Sequence, residues 1–528
     1  MTTSLRFRFR FLTAAFLVFI STRVLAAEYF VAPTGDDANA GADATPWRTV
    51  SHAANQVQAG DTVTIHPGTY SESPWLATSG APGAPITFTA EPGAVFESPD
   101  PNASEEAFNV AGAGYVRLVG FEATGGFDET IFLRPGSHHI EISDCKLYGN
   151  HIGILIADSD TVTVSNCSLH NNVRAGLRVA GTTHNVLVSD TESFNNNDGL
   201  GCDGQADGYT GDRTASNISF VRTKAHDNGQ DGFDVPATGA FFDQVESANN
   251  ACAGFKIWSD ATLSNCLVRG NHTGIGTTSA TGNTTVTITN CTVVDNGLGV
   301  VAKPPMTAGT RYSVNLFNNI LVGPDHVIDF YDTVNLTEAR NILWRGDLTG
   351  NVIQQLTATG AKKRRFSGRE VNLGRWQRVM KQGEGTLAID PQLNGDYAPA
   401  TVSAAVDRAR SDVAPPTDYA GTPRPQGNGP DIGAIEIPGG VINHQPLADC
   451  GAANRIGRAT RRLLFNAAGS LDPDGDVLTY SWDFGDGSPA LLGARVLHAF
   501  ATAGVYTVTL TVSDGQLSGQ RSLTVTVL

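Results

Sequence analysis

The sequence predicts an all-β protein: a right-handed parallel β-helix, or solenoid, with a small β-sandwich at its C-terminal end. Three observations lead there. One phrase recurs about every 22 residues through the middle of the chain. After each recurrence the apolar residues alternate with the period of a strand, with no helical period. The last stretch abandons that repeat and carries an alternation of its own.

The repeat is clearest in NGQDGFDV, beginning at Asn228, and its near-copy NACAGFKI, beginning at Asn250. Aligning on the phrase glycine gives a ladder: Gly153, Gly176, Gly199, Gly232, Gly254, Gly274 and Gly299, in steps of 23, 23, 33, 22, 20 and 25 residues. Asparagine precedes each glycine by a few positions, as a tight or left-handed turn requires. Ile154/Ile156, Leu177/Val179, Leu200/Cys202, Phe233/Val235 and Phe255/Ile257 then take the apolar parity of a strand. Such a coil cannot bury its apolar face alone, and stacking on its neighbours supplies the core.

A second ladder precedes the asparagine turns: Cys145, Cys167, Thr191, Thr223, Val245, Cys266 and Cys291. Seven cysteines in 528 residues are not a disulfide scaffold. Four of them share this inward position, where a small apolar residue fits, and they are expected to be structural thiols.

The ends follow. Arg6, Arg8 and Arg10, the apolar run Phe11 to Ile20 and the small-residue site ending at Ala26 read as an export signal over residues 1–26. The β-helix is expected over 27–437. Its start, YFVAPTGDDANAG through Tyr70, resembles the opening cap of secreted β-helix proteins, with a short helix near Val50 to Gln58. GRWQRVMKQGEGTLAIDPQL and GPDIGAIEI resemble closing coils, and the basic run Lys362 to Arg365 between them reads as a solvated loop.

A linker over 438–445 leads to residues 446–528. There WDFGDG (from Trp482) and GVYTV (from Gly504) carry a resemblance to the PKD domain, which implies a small immunoglobulin-like β-sandwich. The alternation in Tyr506-Thr-Val-Thr-Leu-Thr-Val supports a half-buried strand independently. Asp472, Asp474 and Asp476 nearby are open to two readings, a calcium site or an acidic turn.

The formal net charge of -16 excludes the basic surface that nucleic acid binding needs. No apolar run is long enough to span a bilayer. A secreted protein that acts as a monomer, without nucleic acid and without membrane insertion, is expected.

Between the inward residues of a strand lie outward ones, and equivalent positions on adjacent coils stand about 4.8 Å apart. Two residues past the ladder glycine the outward series reads Leu155, Arg178, Gly201, Asp234, Lys256, Gly276, Val301. Just before the glycine it reads Ile152, Ala175, Asp198, Asp231, Ala253, Thr273, which stacks Asp198 on Asp231. Asp203 and Trp258 fall further along the same strip. The long 33-residue step adds an insertion, DGQADGYTGDRT from Asp203 to Thr214, beside it. Loops added to a rigid scaffold are where binding groups gather.

Carboxylates at this spacing suit Ca²⁺, which accepts six to eight oxygens in flexible geometry. A lysine beside such a cation can lose its proton and serve as a base. Together these fit β-elimination of a uronate polymer. They also explain how an acidic protein could hold an acidic polysaccharide.

Three phrases resemble polysaccharide lyase family 9, the β-helical pectate lyases: Ala206-Asp-Gly-Tyr209, Gln230-Asp-Gly-Phe-Asp234 and Ala253-Gly-Phe-Lys256. The resemblance implies calcium ligands at Asp207, Asp231 and Asp234 and a catalytic base at Lys256, with pectate as the favoured substrate. It departs at Gln230, where the family has aspartate, and in the single-coil spacing from Asp234 to Lys256. The first ligand is Asp207 by local wording and Asp198 by the repeat ladder, and the two stay open. Arg178, Trp258 and Asp203 are candidate substrate contacts.

The phrases of β-helical polygalacturonases (Asn-Thr-Asp, Gly-His-Gly, Arg-Ile-Lys) and the Asp-Pro-His-Glu phrase of mannuronan epimerases are absent. The rival reading is a non-catalytic, calcium-stabilised carbohydrate-binding or surface adhesion protein, since fold alone fixes no function.

Overall fold

The computed structural model describes residues 26–98, 105–280, 282–307, 309–324, 327–346, 352–356, 369–371, 373–380, 383–438, 443–451 and 454–528. The expected export signal, up to residue 25, and the run Lys362 to Arg365 lie outside the described residues.

Each coil gives one strand to each of three parallel sheets. In one coil these are Ala253–Ile257, Ala261–Ser264 and Leu267–Arg269, and the next begins with Thr273–Thr277. Two sheets have 13 strands and the third 12 among the described residues, stacked in coil order. Inward side chains meet their equivalents one coil away. Tyr209, Phe233 and Phe255 stack at 4.9 and 4.8 Å, and Phe220 lies 5.1 Å from Phe242.

The asparagines do more than turn the chain. Asn150, Asn172, Asn196, Asn228, Asn250, Asn271 and Asn296 are buried. Their amides are linked from coil to coil, as from Asn228 Nδ2 to Asn250 Oδ1 (2.9 Å) and from Asn250 Nδ2 to Asn271 Oδ1 (3.0 Å). Each bond contributes about 1 kcal/mol, and an orphaned partner would cost more. At another corner Asn166, Asp190, Arg222, Gln244, Asn265 and Asn290 hold φ between 50° and 58°, a region asparagine tolerates better than most residues.

The ladder cysteines Cys145, Cys167, Cys266 and Cys291 are buried free thiols. Cys202 departs from expectation. It leaves the strand parity altogether and forms a disulfide with Cys252.

The first cap has its helix at Val50–Gln56, with the Thr49 side chain accepting from His52 N–H (3.1 Å). At the far end the sequence expectation needs amending. Leu373–Met380 is a helix that buries Trp376 against Phe330 (5.4 Å); Arg369–Val371 before it pairs antiparallel with Ile353–Gln355, and residues beyond it bridge to the last coil at Ala339↔Glu384 and Ile342↔Leu387. GPDIGAIEI does not close the helix. It belongs to a strap along one corner, where Asn290 Nδ2 donates to the Asp431 carbonyl (2.9 Å) and Gln244 Nε2 to the Asp418 carbonyl (2.7 Å).

The C-terminal unit is a sandwich of a five-stranded and a two-stranded sheet. Phe465, Trp482, Phe484, Val508, Leu510 and Val525 fill the space between them.

Candidate active site

One outward row of the second sheet carries most of the candidate residues. Strand register pairs Leu155 with Arg178, Arg178 with Thr210, Thr210 with Asp234, and Asp234 with Lys256. The third coil of this row is therefore the strand Tyr209–Gly211, and its ladder glycine is Gly208. Gly199 lies in the loop before it. Leu200 is 65% exposed, and Gly201–Asp203 is a short helical turn. The buried ring of Tyr209 wins the inward position because it completes the aromatic stack. Part of the expected insertion, Tyr209 to Gly211, is thus regular coil, and the extra residues precede and follow it.

This register places Asp207, and not Asp198, next to Asp231. Asp231 N–H donates to Asp207 Oδ1 (3.1 Å), and Ala253 N–H donates to Asp231 Oδ1 (2.7 Å). Lys256 Nζ stands 2.9 Å from Asp234 Oδ2 and 3.2 Å from Asp231 Oδ2. Trp258 Nε1 donates to Asp234 Oδ1 (2.6 Å). Asp207, Asp231, Asp234, Lys256 and Trp258 thus form one connected group over three coils.

The remaining candidates stand apart. Asp198 holds its own loop, accepting from Leu200 N–H (2.9 Å) and Gln205 N–H (2.7 Å). Asp203 is exposed in the helical turn. Arg178 faces the same surface two coils before Asp234, and its Nη2 lies 3.4 Å from Asp212 Oδ1.

Electrostatics follow from this crowding. Burial, with the charges of Asp231 and Asp234 added, pushes the Asp207 carboxyl up to about 8. Burial also raises Asp231, against the pull of Lys256. For Lys256 burial alone would favour the neutral amine, but the Asp231 and Asp234 carboxylates outweigh it and hold the ammonium well above its ordinary value. Three carboxylates here share one cation, Lys256.

That imbalance, with an all-oxygen donor set, fits a hard divalent ion. Gln230 adds an oxygen. Its Nε2 donates to the Cys202 carbonyl (3.2 Å), which commits the nitrogen and leaves Oε1 without a hydrogen-bond partner among the described residues. Among the described residues, the trio of carboxylates whose oxygens all lie within 4.8 Å of one another is elsewhere, at Asp472, Asp474 and Asp476, and Asp207, Asp231 and Asp234 are spread more widely. There Asp472 Oδ1 caps Asp474 N–H (2.8 Å) and Asp474 holds His444 Nδ1 (2.6 Å), bonds that an acidic turn and a calcium site would both allow.

The disulfide, Asp212 and Arg213 escaped the sequence reading. Cys202 and Cys252 are 50 residues apart, and only the folded coils bring them together.

Residues 29–315 match the family model "Pel9A-like, right handed beta helix region", and residues 443–527 match a PKD domain. Among curated proteins the chain is similar to uncharacterized protein YwoF of Bacillus subtilis, 25% identical over 378 residues (64% of this chain, 74% of that protein). It is also similar to pectate lyase L of Dickeya dadantii, 26% identical over 310 residues, and to pectate lyase PEL9 of Emericella nidulans, 24% over 220. Those matches take in 52% and 40% of this chain, and 64% and 50% of the two lyases. No helix among the described residues is long and apolar enough to cross a membrane.

Proposed function

The chain belongs to the Pel9A-like right-handed β-helix family, and from that premise we propose that it is a secreted, calcium-dependent polysaccharide lyase. Its substrate is a uronate polymer, with polygalacturonate favoured, and its reaction is β-elimination. The observation that carries the reading is the contact of Lys256 Nζ with both Asp231 and Asp234 on the coil before it.

Asp207, Asp231 and Asp234, with the Gln230 amide oxygen, would hold the calcium ion, which when bound neutralises the C6 carboxylate of the sugar and acidifies its C5 proton. Once the aspartates are so engaged, Lys256 loses the counter-charges that keep it protonated. Its neutral amine takes the C5 proton. The electron pair left behind forms the C4–C5 double bond as the C4–O bond breaks, and the leaving sugar's oxygen keeps that bond's electrons and takes a proton from solvent. The indole of Trp258, tied to Asp234, keeps that carboxylate in register with the lysine.

The test is release of unsaturated uronate, followed by its ultraviolet absorbance, from polygalacturonate, alginate and other uronate polymers with calcium or with chelator. A calcium-dependent rise on one polymer identifies the substrate. A flat trace on all of them, with calcium still raising thermal stability, would favour a carbohydrate-binding or adhesion protein instead.

A further inference from the structure

The chain that follows the Tyr209–Gly211 strand turns sharply, and the turn sends two neighbouring side chains in different directions. It runs from Asp212 to Ala215 and is closed by Ala215 N–H donating to the Asp212 carbonyl (3.2 Å). Its root is fastened to the preceding coil. Asp212 N–H donates to the Val179 carbonyl (2.9 Å), Gly181 N–H to Asp212 Oδ2 (3.0 Å), and the Thr214 hydroxyl to the Gly181 carbonyl (2.5 Å). Asp212 reaches back to Arg178.

Arg213 reaches forward. Its guanidinium lies 5.1 Å from the centre of the Trp258 ring, two coils on, and its Nη2 is 3.8 Å from the Met306 sulfur. Lys256 Nζ stands 5.3 Å from the centre of that same ring. Arg213 is thus held beside the lysine through a shared indole.

What Arg213 lacks is a carboxylate. On this face Arg134 pairs with Glu106, Arg178 with Asp212, and Lys256 with two aspartates. Arg213 forms no ion pair among the described residues, although the chain carries 52 acidic side chains against 36 basic ones. An aromatic ring and a weak thioether acceptor on Nη2 leave its planar fork of N–H donors without an oxygen partner among the described residues. That fork matches a carboxylate bidentately.

We propose that Arg213 is a specificity-determining residue that binds the carboxylate of a sugar adjoining the one at Lys256. The site then reads two uronate charges instead of one. This rests on the lyase reading, since a uronate polymer is what brings carboxylates at regular intervals past Lys256. Trp258 serves as the plate on which the guanidinium rests.

The experiment has two arms. Steady-state kinetics on polygalacturonate compare the full chain with Arg213→Ala and Arg213→Lys. Calorimetry compares trigalacturonate binding to Lys256→Ala and to Lys256→Ala/Arg213→Ala, both in calcium. The expected result is a KM raised about tenfold or more in Arg213→Ala with kcat within about twofold, and partial recovery in Arg213→Lys. Trigalacturonate should bind the double variant correspondingly more weakly. An unchanged KM overturns the proposal. So does a fall in kcat alone, because that would mean Arg213 merely steadies Trp258 and Asp234. If the wild type cleaves no uronate polymer, the lyase reading fails separately. Equal binding of trigalacturonate by the two Lys256 variants would then overturn this proposal as well.

Discussion

Asp234 and Lys256 occupy one register position on neighbouring coils, and their side chains meet with Oδ2 2.9 Å from Nζ. The lysine that is to act as base is therefore a locked ammonium until its carboxylate partners are engaged elsewhere. Under the proposed mechanism calcium dependence and proton abstraction are one event, which opens the proposal to test from several sides.

Lys256→Arg keeps a cation against Asp231 and Asp234 but holds its proton at any working pH. The variant should fold with a melting temperature close to wild type. Its turnover should fall about a hundredfold to ten-thousandfold, the usual contribution of a general base. Circular dichroism melting and the lyase assay check the two halves.

Asp207 predicts a pH signature without calcium. Its carboxyl is pushed up to about 8 in the folded chain and returns to about 3.8 when unfolded. Between those values the native state binds more protons, so stability falls as pH rises. Melting temperatures in chelator should drop from about pH 5 to about pH 8. Added calcium should flatten the slope by giving the carboxylates a counter-charge, and Asp207→Asn should remove Asp207's share of it.

Gln230→Asp restores a fourth carboxylate beside Asp231. Calcium affinity rises with ligand charge, so titration calorimetry should show severalfold tighter binding. The calcium-free variant should melt lower than wild type, because a further negative charge joins a group that is already crowded.

Replacing Cys202 and Cys252 by serine frees the loop whose carbonyl orients Gln230. Losing a cross-link of this kind costs about 2–4 kcal/mol. The specific expectation is weaker calcium binding beyond the stability loss, since the Gln230 amide would no longer be committed to the Cys202 carbonyl. Denaturant melts and calorimetry separate the two effects.

Much of this was legible in the sequence because a β-helix writes its register into its repeats. The inward alternation at Phe233 and Phe255 and the cysteine ladder carried over directly to buried positions. Asp234 and Lys256 could be placed on adjacent coils by counting alone. The count slipped where the repeat lengthened. NNDGLGCD mimics the phrase but offers Leu200 and no aromatic ring to fill the stack, whereas ADGYTG supplies Tyr209, and stacking free energy chose the second. That slip put Asp198 in the place Asp207 holds. The Cys202–Cys252 disulfide and the reach of Arg213 over Trp258 were invisible for a different reason. Both depend on how a non-repeating loop lies across coils, and no periodicity records that.

The most direct measurement is the ultraviolet absorbance of unsaturated product from polygalacturonate in calcium, wild type against Lys256→Ala, at matched folded concentration. A calcium-dependent rise for the wild type that is lost in Lys256→Ala is the result expected of a lysine-based lyase. Equal rates from both proteins would contradict it, and would place the base on a residue other than Lys256.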